Sequence, residues 1–232
     1  MSRTARAAAG GYCYHVLNRG NRRAEVFHKD EDYAAFAALI RQTCAQVPMR
    51  VLGWCLMPNH FHLALWPQRD GELAEWMHWL LTTHVRRYNL HYGLSGHVWQ
   101  GRFKAFPIQE DEHLLIMLRY IERNAMRANL VAQAQYWPWT SLAERQQPPL
   151  LPVLAQGPVP LPADWLTYVN APQTEAELER IRRSVVRGCP YGGADWVQRA
   201  AAELGLQSTL RPRGRPRRPP SPAPMTDQAM LF

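Results

Sequence analysis

The chain has 232 residues, 47% of them hydrophobic, enough for one large domain or a domain with an extension. Its formal net charge is +8, from 27 Lys and Arg against 19 Asp and Glu, and nearly all of the positive charge is arginine. Such a balance points to an anionic partner, most simply nucleic acid, and arginine suits two-pronged phosphate contacts. No run is long enough to span a bilayer and the first residues lack a signal-peptide apolar core, so a cytoplasmic protein without a membrane partner is expected. Cys13, Cys44, Cys55 and Cys189 stand at no C-x-x-C spacing, which argues against a cysteine zinc site and suits a reducing compartment.

Tyr12–Asn18 alternates loosely and predicts a first strand. The basic loop Arg19-Gly20-Asn21-Arg22-Arg23 follows, with a glycine to bring backbone close to a phosphate and Arg19, Arg22 and Arg23 to bind it. Acidic residues at Asp30–Asp32 open a helix whose buried face carries Tyr33, Phe36, Leu39 and Ile40. Next come strand Arg50–Met57, a tight Pro58-Asn59 turn and strand His60–Trp66. Alternation puts Phe61, Leu63 and Leu65 on one face of that strand and His60 and His62 on the other, where the imidazoles are expected to face outward. Two neutral imidazoles side by side can share one metal ion.

Glu72–Tyr88 reads as a second helix with the stripe Leu73, Trp76, Met77, Leu80 and Leu81, ending in the basic, aromatic Arg86-Arg87-Tyr88. Arg86 and Arg87 are candidate DNA contacts, and Tyr88 is a nucleophile candidate by type. The glycine-rich stretch 91–104 interleaves aromatic and basic residues. Trp99 is expected to stack on an unpaired base while Arg102 and Lys104 bind the backbone. Phe103–Gln109 can form a further strand. A third helix begins at Glu110-Asp111-Glu112 and buries Leu114, Leu118, Ile121, Ala125 and Ala128. Tyr120 and Asn124 share a neighbouring face, as do Arg119 and Arg123. A phenol can act as nucleophile, a carboxamide oxygen can ligate a hard cation, and the two arginines can hold phosphates.

Residues 1–145 read as the core domain and 146–174 as a proline-rich linker. Residues 175–210 read as a small helical extension and 211–232 as a basic, unfolded tail. Within the tail, Arg213-Gly214-Arg215 between prolines resembles an AT-hook, a reader of the narrow A·T minor groove in duplex DNA.

Taken together, His60-Phe61-His62, the stretch Trp99–Lys104 and Arg119-Tyr120-Ile121-Glu122-Arg123-Asn124 resemble the REP-associated tyrosine transposases, within the HUH single-strand transposases that use one catalytic tyrosine. The resemblance covers roughly Tyr12 to Ser141, and Gly188–Pro216 is similar to the extension of many members. It implies an α+β fold, a ferredoxin-like or RRM-like antiparallel sheet with helices on one face. It implies a metal-dependent single-stranded DNA transposase or endonuclease, a monomer or homodimer, that cleaves and rejoins hairpin-forming repeat DNA through a 5′-phosphotyrosine. His60, His62 and Asn124 would bind Mg²⁺ or Mn²⁺, and Tyr120 would be the nucleophile. Asn124 stands where more distant relatives often have Gln, and Ala125 where many have Pro. The alternative is a catalytically silent, transposase-derived DNA-binding or repressor protein. A histidine-triad hydrolase is disfavoured because Ala64 stands where a third histidine would be needed.

Overall fold

The turn at Pro58-Asn59 sets the centre of the fold. The computed structural model describes residues 8–146 and 154–211. Residues before the turn form β2 (Arg50–Met57) and those after it β3 (His60–Trp66), paired antiparallel from Met57↔His60 back to Arg50↔Trp66. β1 (Cys13–Arg19) lies on the other side of β3, and β4 (Lys104–Ile108) lies beyond β1. The antiparallel sheet therefore has the order β2-β3-β1-β4. With α1 (Asp30–Gln46) after β1 and α2 (Glu72–Tyr92) after β3, the chain has the βαββαβ order of a ferredoxin-like sandwich, the α+β class that the sequence predicts. α2 runs one turn past Tyr88, to the left-handed Gly93 (φ 62°) that ends it.

Alternation along β3 decides which residues meet which helices. Phe61, Leu63 and Leu65 pack with Phe36, Leu39 and Ile40 of α1 and Leu73, Trp76, Met77 and Leu80 of α2. The sequence leaves the opposite face bare of helices. In the structure α3 (Glu112–Glu122) covers it with Leu114, Met117, Leu118 and Ile121. The reason is that Cys13, Leu52, Cys55, Met57, Phe106 and Ile108 make that face apolar as well, and exposing it would forfeit its burial. Gly53, at the register shift of β2, permits the close approach, since a Cβ there would lie 2.7 Å from Leu118 Cδ2. His62 is consequently buried beneath α3 rather than turned outward.

Past α3 the helix breaks at Arg123 and resumes as α4 (Asn124–Arg127). Then follow α5 (Ser141–Gln146), α6 (Trp165–Asn170), α7 (Glu175–Arg187), α8 (Ala194–Glu203) and α9 (Gln207–Leu210). The described part of the expected linker, residues 154–174, is packed against the core. Ala155 N–H donates to Val51 O at 2.9 Å, and the buried Trp165 donates its Nε1–H to Glu122 at 2.7 Å. The carboxylate of Glu122 is fully buried and also accepts from Ser141 Oγ (2.6 Å) and Arg145 Nε (2.9 Å). Both sheet edges are covered. Leu56 N–H donates to Trp139 O along β2, while Tyr191 exchanges bonds with Pro107 and Gln109 beside β4. Among the described residues no helix is long and apolar enough to cross a membrane.

Candidate functional site

β3 and the turn before it place His60 and His62 on the α3 face, ring centroids 5.0 Å apart. Each Nδ1 is already engaged. His60 Nδ1 lies 2.6 Å from Asn59 Oδ1, and His62 Nδ1 lies 2.8 Å from His15 Nε2. Burial holds His60 down to about 4, with Arg19 and Arg127 adding repulsion. Burial also holds His62 well below its ordinary value, helped by His60, His15 and the same arginines. Both rings are therefore neutral near pH 7 and keep a nitrogen lone pair.

The sequence gives no sign of His15. It sits on β1, where the register sets Leu17 opposite His62 and His15 opposite Ala64, so His15 meets His62 diagonally across the strands. Their rings stack, 5.0 Å apart and 7° from parallel. Tyr120, from α3, closes over the pair, its ring centroid 5.8 Å from His62 and 6.2 Å from His15 and edge-on to both. The amphipathic stripe of α3 brings it there by seating Leu114, Met117, Leu118 and Ile121 on the sheet.

Asn124 follows the break in the helix and is buried. Its Oδ1 accepts from Arg127 Nη2 at 3.2 Å, and its Nδ2 has no partner among the described residues. The Arg127 guanidinium stands 5.1 Å from the Tyr120 ring centroid. The sequence gives no sign of Arg127 as a neighbour of Tyr120, since the two are seven residues apart across the break in the helix. Among the described residues no three His, Cys, Asp or Glu side chains gather as a metal cluster. The donors on offer are two imidazole nitrogens and a carboxamide oxygen, which keeps a second lone pair beside its bond to Arg127.

The basic loop forms a rim beside this site. Gly20 N–H donates to Asn59 O (2.7 Å), Asn21 N–H to Val98 O (2.8 Å) and Gln100 N–H to Arg19 O (2.7 Å). The ends of β1, the β2–β3 turn and the loop before β4 are thereby tied together. Arg19, Arg22, Arg23 and Arg102 are exposed on it, as is Lys104 at the start of β4, which donates to Val185 O at 3.4 Å. Arg86 shares a cavity of about 450 Å³ with Trp99 and Gly101. Arg87 turns away to Gln42 of α1 (3.0 Å).

Three expected DNA contacts are used otherwise. Trp99 is buried and packs on Phe27, Phe36, Phe61 and His84, so its ring is taken up chiefly by core packing. Arg119 donates to the carbonyls of Ala171 (2.6 Å) and Pro172 (2.7 Å) and lies over Tyr168. Arg123 donates to those of Val169 (3.2 Å) and Asn170. Both guanidiniums satisfy carbonyls at the end of α6, so they pin that segment to α3 rather than reaching outward. Arg213 and Arg215 lie outside the described residues. Tyr88, the rival nucleophile, packs on the α1 and α2 side and bonds through its hydroxyl to His28 Nε2 (2.9 Å).

Residues 9–124 match the family model of IS200-like transposases, a span that begins at the lead into β1 and ends on Asn124. The chain belongs to the IS200-like transposase family. It is 30% identical over 117 residues to a Haemophilus influenzae protein described as a REP-associated tyrosine transposase. That match covers 46% of this chain and 66% of the relative. The fold is similar to a solved REP-associated tyrosine transposase bound to a REP hairpin, with a TM-score of 0.54 and 21% identity over 68% of this chain and 92% of the other.

Proposed function

We propose that this transposase cleaves and rejoins single-stranded, hairpin-forming repeat DNA, with Tyr120 as nucleophile. The observation that carries this is the meeting of Tyr120 with neutral His60 and His62 beside an exposed arginine rim. The relative solved with a REP hairpin supports the choice of substrate class.

His60, His62 and Asn124 would hold the metal, as Mg²⁺ or Mn²⁺. When bound, it supplies Lewis-acid withdrawal of charge from a non-bridging phosphate oxygen. The protein's own residues do the rest. Arg19, Arg22, Arg23 and Arg102 hold the flanking phosphates, and Arg127 places a cation beside the Tyr120 ring. The phenolic oxygen of Tyr120 attacks phosphorus and gives up its proton. The bond to the 3′-oxygen breaks, and that oxygen leaves protonated as a 3′-hydroxyl. The 5′-phosphate stays on Tyr120 as a phosphodiester, so another strand's 3′-hydroxyl can reverse the exchange and rejoin DNA without outside energy.

The test is incubation with labelled single-stranded hairpin DNA and Mg²⁺, followed by denaturing electrophoresis. Cleavage with a covalent protein–DNA adduct is expected, lost in His60→Ala and His62→Ala while hairpin binding persists, since phosphate contacts elsewhere carry affinity. Hairpin binding by the wild type without any cleavage would overturn the proposal in favour of a DNA-binding protein.

A further inference from the structure

Arg22 and Arg23 both have left-handed backbones, with φ of 54° and 63°. Non-glycine residues there are strained and need surroundings that hold them. The hold comes from the β2–β3 turn. Pro58 O accepts from the N–H groups of Val26 and Phe27, and Asn59 O accepts from Gly20 N–H. Gly20 is required at that clasp, since a Cβ would meet Ala24 O at 2.2 Å. The side chain of Asn59 adds one more bond, Nδ2 to Arg23 O at 3.1 Å.

That bond fixes the direction of the carboxamide. A carbonyl oxygen can only accept, so the amide nitrogen of Asn59 faces Arg23. Its oxygen then faces His60 Nδ1 at 2.6 Å. That oxygen can only accept as well, so Nδ1 of His60 bears the proton and the lone pair is left on Nε2. A partner that fixes the tautomer of a metal-binding histidine in this way usually sets its orientation and strength as a ligand.

We propose that Asn59 is a positioning residue joining the arginine loop to His60. Its oxygen selects the Nδ1–H tautomer of His60, and its nitrogen is anchored by the strained Arg23 peptide. DNA seated on Arg22 and Arg23 thereby steadies the histidine. The inference rests on the proposed role of His60 as a ligand, but its central observable needs no metal.

Long-range ¹⁵N NMR of the metal-free full chain near neutral pH reads the tautomer directly. His60 of the wild type is expected as Nδ1–H. In Asn59→Ala it should move toward Nε2–H, the form that free histidine prefers, with amide shifts away from the loop unchanged. Asn59→Asp keeps the acceptor and loses the donor, so His60 should stay Nδ1–H while the amide signals of Arg22 and Arg23 shift. Mn²⁺ titration of Asn59→Ala should show affinity about 10- to 100-fold weaker than the wild type. A His60 that stays Nδ1–H in Asn59→Ala, or loop signals unmoved in Asn59→Asp, overturns the inference. A tautomer shift alongside a wild type that binds no Mn²⁺ upholds the tautomer role and refutes the metal role of His60.

Discussion

Tyr120 stands edge-on to His62, the ring centroids 5.8 Å apart and the planes 86° apart. Tyr88 packs on the other side of the sheet, where its hydroxyl meets His28. The sheet thus separates two tyrosines that basic surroundings alone do not distinguish. The Tyr120 ring meets His15, His62 and the Arg127 guanidinium on the face that carries His60, whereas Tyr88 stands among His28, His84 and Tyr92 on the α1 and α2 side.

The arginines divide into two groups, and hairpin binding should show it. Arg22→Gln removes an exposed cation from the rim, so the slope of log affinity against log salt should fall by roughly 0.7 to 0.9. Arg123→Met removes carbonyl contacts at α6. It should leave that slope unchanged and lower stability by about 1.5 to 3 kcal/mol, the usual worth of hydrogen bonds from a charged group. Equal salt effects in the two variants would contradict this division.

Glu122 of α3 holds together Ser141 and Arg145 of α5 and Trp165 of α6. Glu122→Ala leaves the partly buried Arg145 without its carboxylate and strips an acceptor from the buried Trp165 indole. Urea unfolding should show a loss on the order of 3 kcal/mol. A loss below about 1 kcal/mol would mean that residues 154–174 are not fastened through this carboxylate.

Stability should fall in mild acid. Burial holds His84 down to about 4 from 6.5, with Arg87 reinforcing the shift and Asp32 opposing it. Burial likewise holds His15 at about 3 and His60 at about 4. Each of these groups takes up a proton at higher pH in the unfolded chain than in the folded one. Their contribution is therefore fully present above about 6.5 and is lost as pH falls toward about 4. Urea unfolding at pH 7, 6 and 5 should give steadily lower free energies. In His84→Phe the slope should be shallower by up to about 1.4 kcal/mol per pH unit. Parallel slopes for the variant and the wild type would show that His84 is not held neutral by the fold.

What the sequence reveals follows the range of the interactions. β2, β3 and the intervening turn are legible because alternation and Pro58-Asn59 act within a few residues, and the same locality exposes His60 and His62. His15 is invisible to that approach, since its bond to His62 spans 47 residues and depends on the β1–β3 register. Asn59 reads as a turn former because its side-chain partner Arg23 is 36 residues away. Arg119 and Arg123 show as neighbours on a helix face, but α6, which occupies that face, lies in a segment whose prolines suggest a linker. Trp99 looks like a base-stacking residue until Phe27, Phe36 and Phe61, from three other segments, close around it.

The most direct test of the mechanism is peptide mass spectrometry of the covalent adduct trapped with hairpin DNA and Mg²⁺. A nucleophile must be held to within roughly 0.5 Å of its productive position, and the packing of the Tyr120 ring on His15 and His62, in the last turn of α3, provides that beside the proposed metal ligands. The nucleotide is therefore predicted on the peptide containing Tyr120, with the adduct lost in Tyr120→Phe and kept in Tyr88→Phe. A nucleotide on Tyr88, or an adduct on no tyrosine, would contradict the account.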